Sequence, residues 1–118
     1  MAGEKRKYPR TGSHNLVSYV CRDEKNNVVC EGMGRTLNVS EGGILLETHD
    51  ALDTSDSISL TVALEDELMD LEGRVAFSNK RADGNYETGI QFRGFEEKKI
   101  RFLRQFITIF AGESHGIE

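Results

Sequence analysis

The stretch SISLTVALEDELMDLEGRVAFS, residues 57–78, decides the fold. Ile58, Leu60, Val62 and Leu64 alternate with Ser57, Ser59, Thr61 and Ala63. Past the acidic turn Glu65-Asp66-Glu67, Met69, Leu71, Val75 and Phe77 alternate with Asp70, Glu72, Arg74 and Ser78. A period of two means antiparallel strands with one face buried and one wet. Downstream, after the turn KRADGN, the pattern repeats with Tyr86, Thr88, Ile90 and Phe92 on the apolar phase. Upstream, Leu16 to Arg22, the polar turn DEKNN and Val28 onward read as a hairpin. Its second strand continues, bending at Gly32 or Gly34, to about Asn38. Gly42-Gly43 breaks it, and Ile44 to Thr48 resumes as a strand. Six short strands joined by turns predict an all-β barrel or sandwich.

The last element has another period. Ile100, Leu103, Phe106, Ile107 and Phe110 follow helical spacing, with Phe102 and Ile109 widening the apolar arc. This predicts a helix from Phe95 to Ala111 packed across one open end of the β-structure. Glu96 and Glu97 favour its first turn through the helix dipole, and Gly112 offers a C-terminal stop. The domain reading is therefore a basic arm over 1–12, a barrel with its helix over 13–112, and a tail over 113–118.

With 118 residues the chain is one domain, large enough to bury a core without disulfides or metal. No apolar run reaches the roughly 20 residues a membrane span needs, and no basic region followed by an apolar stretch opens the chain. The expected compartment is the cytoplasm, with no membrane insertion. A net charge of −5 argues against DNA or RNA as partner. That charge is unevenly spread. Lys5, Arg6, Lys7 and Arg10 face Glu4 alone, so residues 1–10 carry +3 and the remaining 108 carry −8. A basic arm on an acidic body suits one small anionic ligand, and a solubilising tail is the plainer alternative.

Cys21 and Cys30 flank the first turn, roughly opposite each other. A reducing cytosol keeps both as thiols that act as small buried hydrophobes, with a cross-strand disulfide as the alternative. His14, His49 and His115 stand alone, without the paired clusters a zinc site needs, so no metal is expected. No histidine, carboxylate and nucleophile set points to an enzyme.

Two constellations remain. Arg6-Lys7-Tyr8-Pro9-Arg10 is an RxxxR arrangement before the first strand, and Asn38-Val39-Ser40-Glu41-Gly42-Gly43 is an NxSxxG arrangement ending the second. Together they resemble the PilZ family, whose cyclic di-GMP site consists of these two motifs in this order. The late strand Gly89-Ile90-Gln91-Phe92 and the C-terminal helix extend the resemblance over essentially the whole chain. It implies a six-stranded antiparallel PilZ-type barrel in a bacterial second-messenger receptor, with cyclic di-GMP as its ligand and a downstream protein partner.

The chemistry is coherent. Arginine's planar fork pairs bidentately with guanine or phosphate and stacks on purines. The resemblance implies that Arg6 meets a guanine, and that Arg10 meets phosphate or the second guanine. Asn38 offers an acceptor to guanine N–H groups, and Ser40 a donor to phosphate. Gly42 and Gly43 let backbone approach the ligand. Many PilZ sequences resemble Asp at the position of Asn38, and the neutral amide implies a weaker bond there. Lys5 is a further cation that can hold a second ligand copy, so two per chain is the expectation and one the alternative. The competing reading is a PilZ-like adaptor that binds a protein and no nucleotide.

Overall fold

The computed structural model describes residues 16–64, 67–94 and 96–116. The sequence supplies six strands, β1 (Leu16–Arg22), β2 (Val28–Val39), β3 (Gly43–Thr48), β4 (Ser57–Leu64), β5 (Glu67–Lys80) and β6 (Tyr86–Arg93), then helix α1 (Glu97–Gly116). They close into a barrel in the order β1-β2-β3-β6-β5-β4, with β4 pairing back onto β1. Every pairing is antiparallel. Closure leaves the barrel without an edge strand open to other chains.

The alternation in β4 reads directly as burial: Ile58, Leu60, Val62 and Leu64 are buried and the residues between them only half-buried. They meet Val17, Tyr19, Leu46, Leu71, Val75, Ile90 and Phe92 inside the barrel. At one end, where β2 turns into β3 and β6 leads into α1, the helix inserts Phe102, Leu103 and Phe106 into the same core. This end is called the motif end below. Burying three such side chains stabilises the helix by roughly 1.5–3 kcal/mol each.

At the other, far end, residues 49–56 between β3 and β4 fold over the barrel. Leu52 is buried there, and its N–H donates to Ser78 Oγ at 3.1 Å. Ser78 Oγ lies 2.8 Å from Thr88 Oγ1, which lies 2.9 Å from Thr48 Oγ1. The loop is thus pinned by a chain of hydroxyls that satisfy one another.

Three expectations change. Cys21 and Cys30 are paired in a disulfide, because the β1–β2 register sets them opposite each other with Cα atoms 5.0 Å apart, within bonding range. Helix α1 runs through Gly112 to Gly116, a length of about 30 Å. Gly112 does not stop it, since a glycine inside a helix costs only about 1 kcal/mol. Phe77 faces outward, 41% exposed, rather than joining Val75 in the core.

Candidate ligand site

The NxSxxG segment is shaped by a register slip. Between Thr36 and Asn38 the β2–β3 pairing gains one residue. Thr36 and Val39 are buried, so regular alternation from Thr36 would have turned Asn38 inward. The bulge instead exposes Asn38 on the outer face. A second slip, between Val75 and Phe77 in the β5–β6 pairing, does the same for Phe77. The two bulges face one outer cleft of about 440 Å³, lined also by Ser40, Gly42, Gly43, Leu45, Gly89 and Gln91.

The turn at residues 40–43 holds itself together. Ser40 N–H donates to the Gly43 carbonyl at 2.9 Å, and Gly42 N–H donates to Ser40 Oγ at 3.2 Å. The Ser40 hydroxyl reaches the Gly43 carbonyl only at 3.5 Å, a bond at the limit of useful length, so its proton is available elsewhere. Phe92 N–H donates to the Gly42 carbonyl at 3.0 Å and fastens the turn to β6. Asn38 Oδ1 accepts from the N–H of Val39 at 2.9 Å, leaving one lone pair of its carbonyl for a ligand.

The two glycines differ. Neither Gly42 nor Gly43 is among the residues with positive φ, so conformational freedom is not their role. At Gly43 a Cβ would collide with the Ile90 carbonyl, whereas at Gly42 it would meet only Ser40 Oγ, at 4.0 Å. Gly43 is therefore required by the barrel wall, and Gly42 leaves open space beside the turn.

Opposite the turn, the Phe77 ring lies over Gly89, where any Cβ would strike it. Sequence reading missed Phe77 as a cleft residue. The available signal was Gly89 itself, since a glycine inside a strand marks close approach by another group. No charged side chain lines the cleft among the described residues. At its border Glu41 accepts from Arg104 Nε of α1 at 2.9 Å, which ties the turn to the helix.

Of the residues expected to form the site, Asn38, Ser40, Gly42 and Gly43 come together in this cleft. Lys5, Arg6 and Arg10, with the arm expected over 1–12, lie outside the described residues. Among the described residues no helix is long and apolar enough to cross a membrane.

The sequence model of the PilZ domain family matches residues 4–108, which includes both motifs, the whole barrel and the helix as far as Thr108. No curated protein matches the chain in sequence. Among solved structures, the chain is similar to the inhibitor of motility MotI/DgrA of Bacillus subtilis, with a TM-score of 0.59 and 16% identity, over 91% of this chain and 53% of that one. It is similar also to MrkH of K. pneumonia in its apo state, with a TM-score of 0.61 and 16% identity, over 98% of this chain and 56% of that one. At this identity the likeness concerns the fold. The chain spans little more than half the length of either structure.

Proposed function

The chain belongs to the PilZ domain family, and from that premise we propose that it is a cyclic di-GMP receptor, acting by binding rather than catalysis, with its ligand in the cleft of the motif end. One observation carries this reading: two independent bulges turn Asn38 and Phe77 into the same cleft, beside a turn whose Ser40 hydroxyl is only weakly engaged. An aromatic face, an amide acceptor and a hydroxyl donor are what a guanine and its phosphodiester require. An exposed ring stacked on a base contributes roughly 1–3 kcal/mol.

The described cleft lacks a cation for the phosphates, and RxxxR supplies it. Leu16 pairs with Arg35, three residues before Asn38, or about 10 Å along β2. The six residues from Arg10 to Leu16 can span up to about 20 Å, so Arg10 has the reach. In this reading Arg6 contacts a guanine and Arg10 a phosphate or the second guanine. Asn38 accepts from guanine N–H through its free lone pair, and Ser40 donates to a phosphate oxygen. Lys5 steadies a second ligand copy. Clamping residues 1–12 onto the cleft creates a composite surface, and a protein partner reads that surface.

Two experiments test this. Amide chemical-shift mapping with cyclic di-GMP is expected to move residues 38–43, 76–77 and 89–91 and to leave 23–27 unmoved. Shifts confined elsewhere would overturn the site. Hydrogen exchange over residues 3–12 is expected to slow on ligand binding, and equal exchange in both states would remove the arm from the mechanism.

A further inference from the structure

The far end of the barrel holds a second cleft, of about 580 Å³, between the β1–β2 turn and the 49–56 loop. Its lining is acidic: Asp23, Glu24, Asp53 and Asp56, beside the apolar Val29 and Leu52. Two of these carboxylates are satisfied within their own turns. Asp23 Oδ1 accepts from the N–H groups of Lys25 and Asn27, both at 2.9 Å. Asp53 Oδ1 accepts from Ser55 N–H at 3.0 Å and Ser55 Oγ at 2.8 Å. These bonds hold both groups below the ordinary carboxylate range.

Asp56 is the exception. It is only 7% exposed, and no side chain or N–H among the described residues bonds its carboxyl. Only its main chain is used, with the N–H donating to the Asp53 carbonyl and its own carbonyl accepting from Val75 N–H. Burial, then the neighbouring Asp53 and Asp23, push its carboxyl up. The carboxyl oxygens are not among the fully buried atoms, so they keep contact with the cleft while the rest of the residue is covered. By contrast Glu47, on the outside of β3, accepts from Asn85 and Arg35 and lies near Arg81. The fold can satisfy an acid where it has cations to spare. At Asp56 it leaves the carboxyl to an outside group.

We propose that this cleft receives an arginine side chain of a protein partner, with the Asp56 carboxylate as anchor and Asp23 and Asp53 as flanking charges. The chemistry selects the occupant. Among the described residues no three metal-donor groups converge on one point, so a bound metal ion is not the fit. A guanidinium stays charged on burial and meets a carboxylate with two parallel hydrogen bonds. Val28 and Val29, each about half exposed beside the cleft, offer apolar surface to the arginine stem and to the partner chain around it. Lys25 is the one cation in the described lining, and no ion pair joins it to Asp56. The cleft lies at the opposite end of β2 from the NxSxxG turn, so this inference stands apart from cyclic di-GMP binding.

The test titrates the full chain with a short Gly/Arg peptide in about 150 mM salt, where long-range surface attraction is screened. Amide shifts are expected at residues 23–30 and 51–56. Asp56→Asn, nearly isosteric, is expected to weaken binding at least about tenfold. Asp53→Asn is expected to weaken it several-fold, and serves alone if Asp56→Asn does not fold. Glu67→Gln, an exposed acid at the motif end, is expected to change nothing. Unchanged affinity in both Asp variants, shifts scattered over the acidic surface, or tighter binding of spermidine than of the peptide would each overturn the proposal.

Discussion

At the motif end of the barrel, the β2–β3 turn bonds to itself and to β6, and the cleft beside it has no charged side chain among its described lining. At the far end, a cleft of similar size is lined by four acidic residues, one of which, Asp56, is 7% exposed with no bond to its carboxyl from the described residues. Both are places where the barrel turns back on itself, yet they demand opposite things. The first offers a neutral, flat-walled recess and needs a cation brought to it before it can hold a phosphate. The second carries negative charge and needs a cation to complete it. On the two proposals, one short barrel presents a nucleotide surface and a protein surface about as far apart as its strands are long.

The sharpest way to break this contrast is at Gly43. A Cβ there meets the Ile90 carbonyl, main chain that cannot swing aside. Gly43→Ala is expected to destabilise the fold by about 2–3 kcal/mol and to abolish cyclic di-GMP binding. Denaturant unfolding and titration check both. Next comes the cation absent from the described lining of that cleft. Arg6→Ala or Arg10→Ala is expected to weaken cyclic di-GMP binding tenfold or more, roughly 1–3 kcal/mol. Asp56→Asn at the other end is expected to leave that affinity unchanged. Equal losses in all three would mean the ends are not separate.

Two carboxylates sharpen the comparison within the far half of the barrel. The hydrogen bond from Asn85, then that from Arg35, holds Glu47 below the ordinary carboxylate range. Its contribution is present above that range and lost as pH falls through its lowered pKa. Glu47→Gln is expected to cost about 1–2 kcal/mol at neutral pH, with the gap closing in acid. Asp56 has the reverse sign. Its carboxyl is pushed up, so ionisation above that pKa destabilises the fold, and the protein gains stability as pH falls through it. Asp56→Asn is expected to stabilise the fold at neutral pH, an advantage that shrinks on acidification. Thermal melts of both variants across pH check the opposite trends.

Smaller effects separate the residues of the turn. Ser40→Ala is expected to lose about 1 kcal/mol of ligand binding, one hydrogen bond's worth. Gly42→Ala, with open space beside it, is expected to shift stability by no more than about 0.5 kcal/mol. Calorimetry and melting of the two variants together distinguish ligand contact from turn geometry.

Much of this molecule is legible in its sequence, and the exceptions share a cause. The alternation of Ile58, Leu60, Val62 and Leu64 gives the strand and its buried face because side-chain direction in a strand is local. Counting outward from the first turn puts Cys21 opposite Cys30, although their bonding does not follow from counting. Phe77 takes the face opposite to the one simple alternation predicts because one extra residue in β5 reverses the phase, and a bulge is a property of the pairing. Helix α1 outlasts Gly112 because Phe102, Leu103 and Phe106 bury its preceding turns, which local propensity does not register. Asn38, Ser40 and Gly43, the positions the NxSxxG resemblance implies, line one cleft. Phe77 and the Glu41–Arg104 pair join residues far apart in the chain, and only the closed barrel brings them together. Asp56 reads in sequence as one more loop acid. Its burial comes from the 49–56 loop folding over the far end.

The central claim, that the motif end receives cyclic di-GMP, is tested most directly by calorimetric titration of the whole chain with that nucleotide. The account predicts saturable heat with a fixed stoichiometry, two ligands per chain if Lys5 holds the second copy, and a curve unchanged by Asp56→Asn. No heat at ligand concentrations well above the protein's, from a chain shown to be folded, would contradict it and leave a PilZ barrel that recognises protein alone.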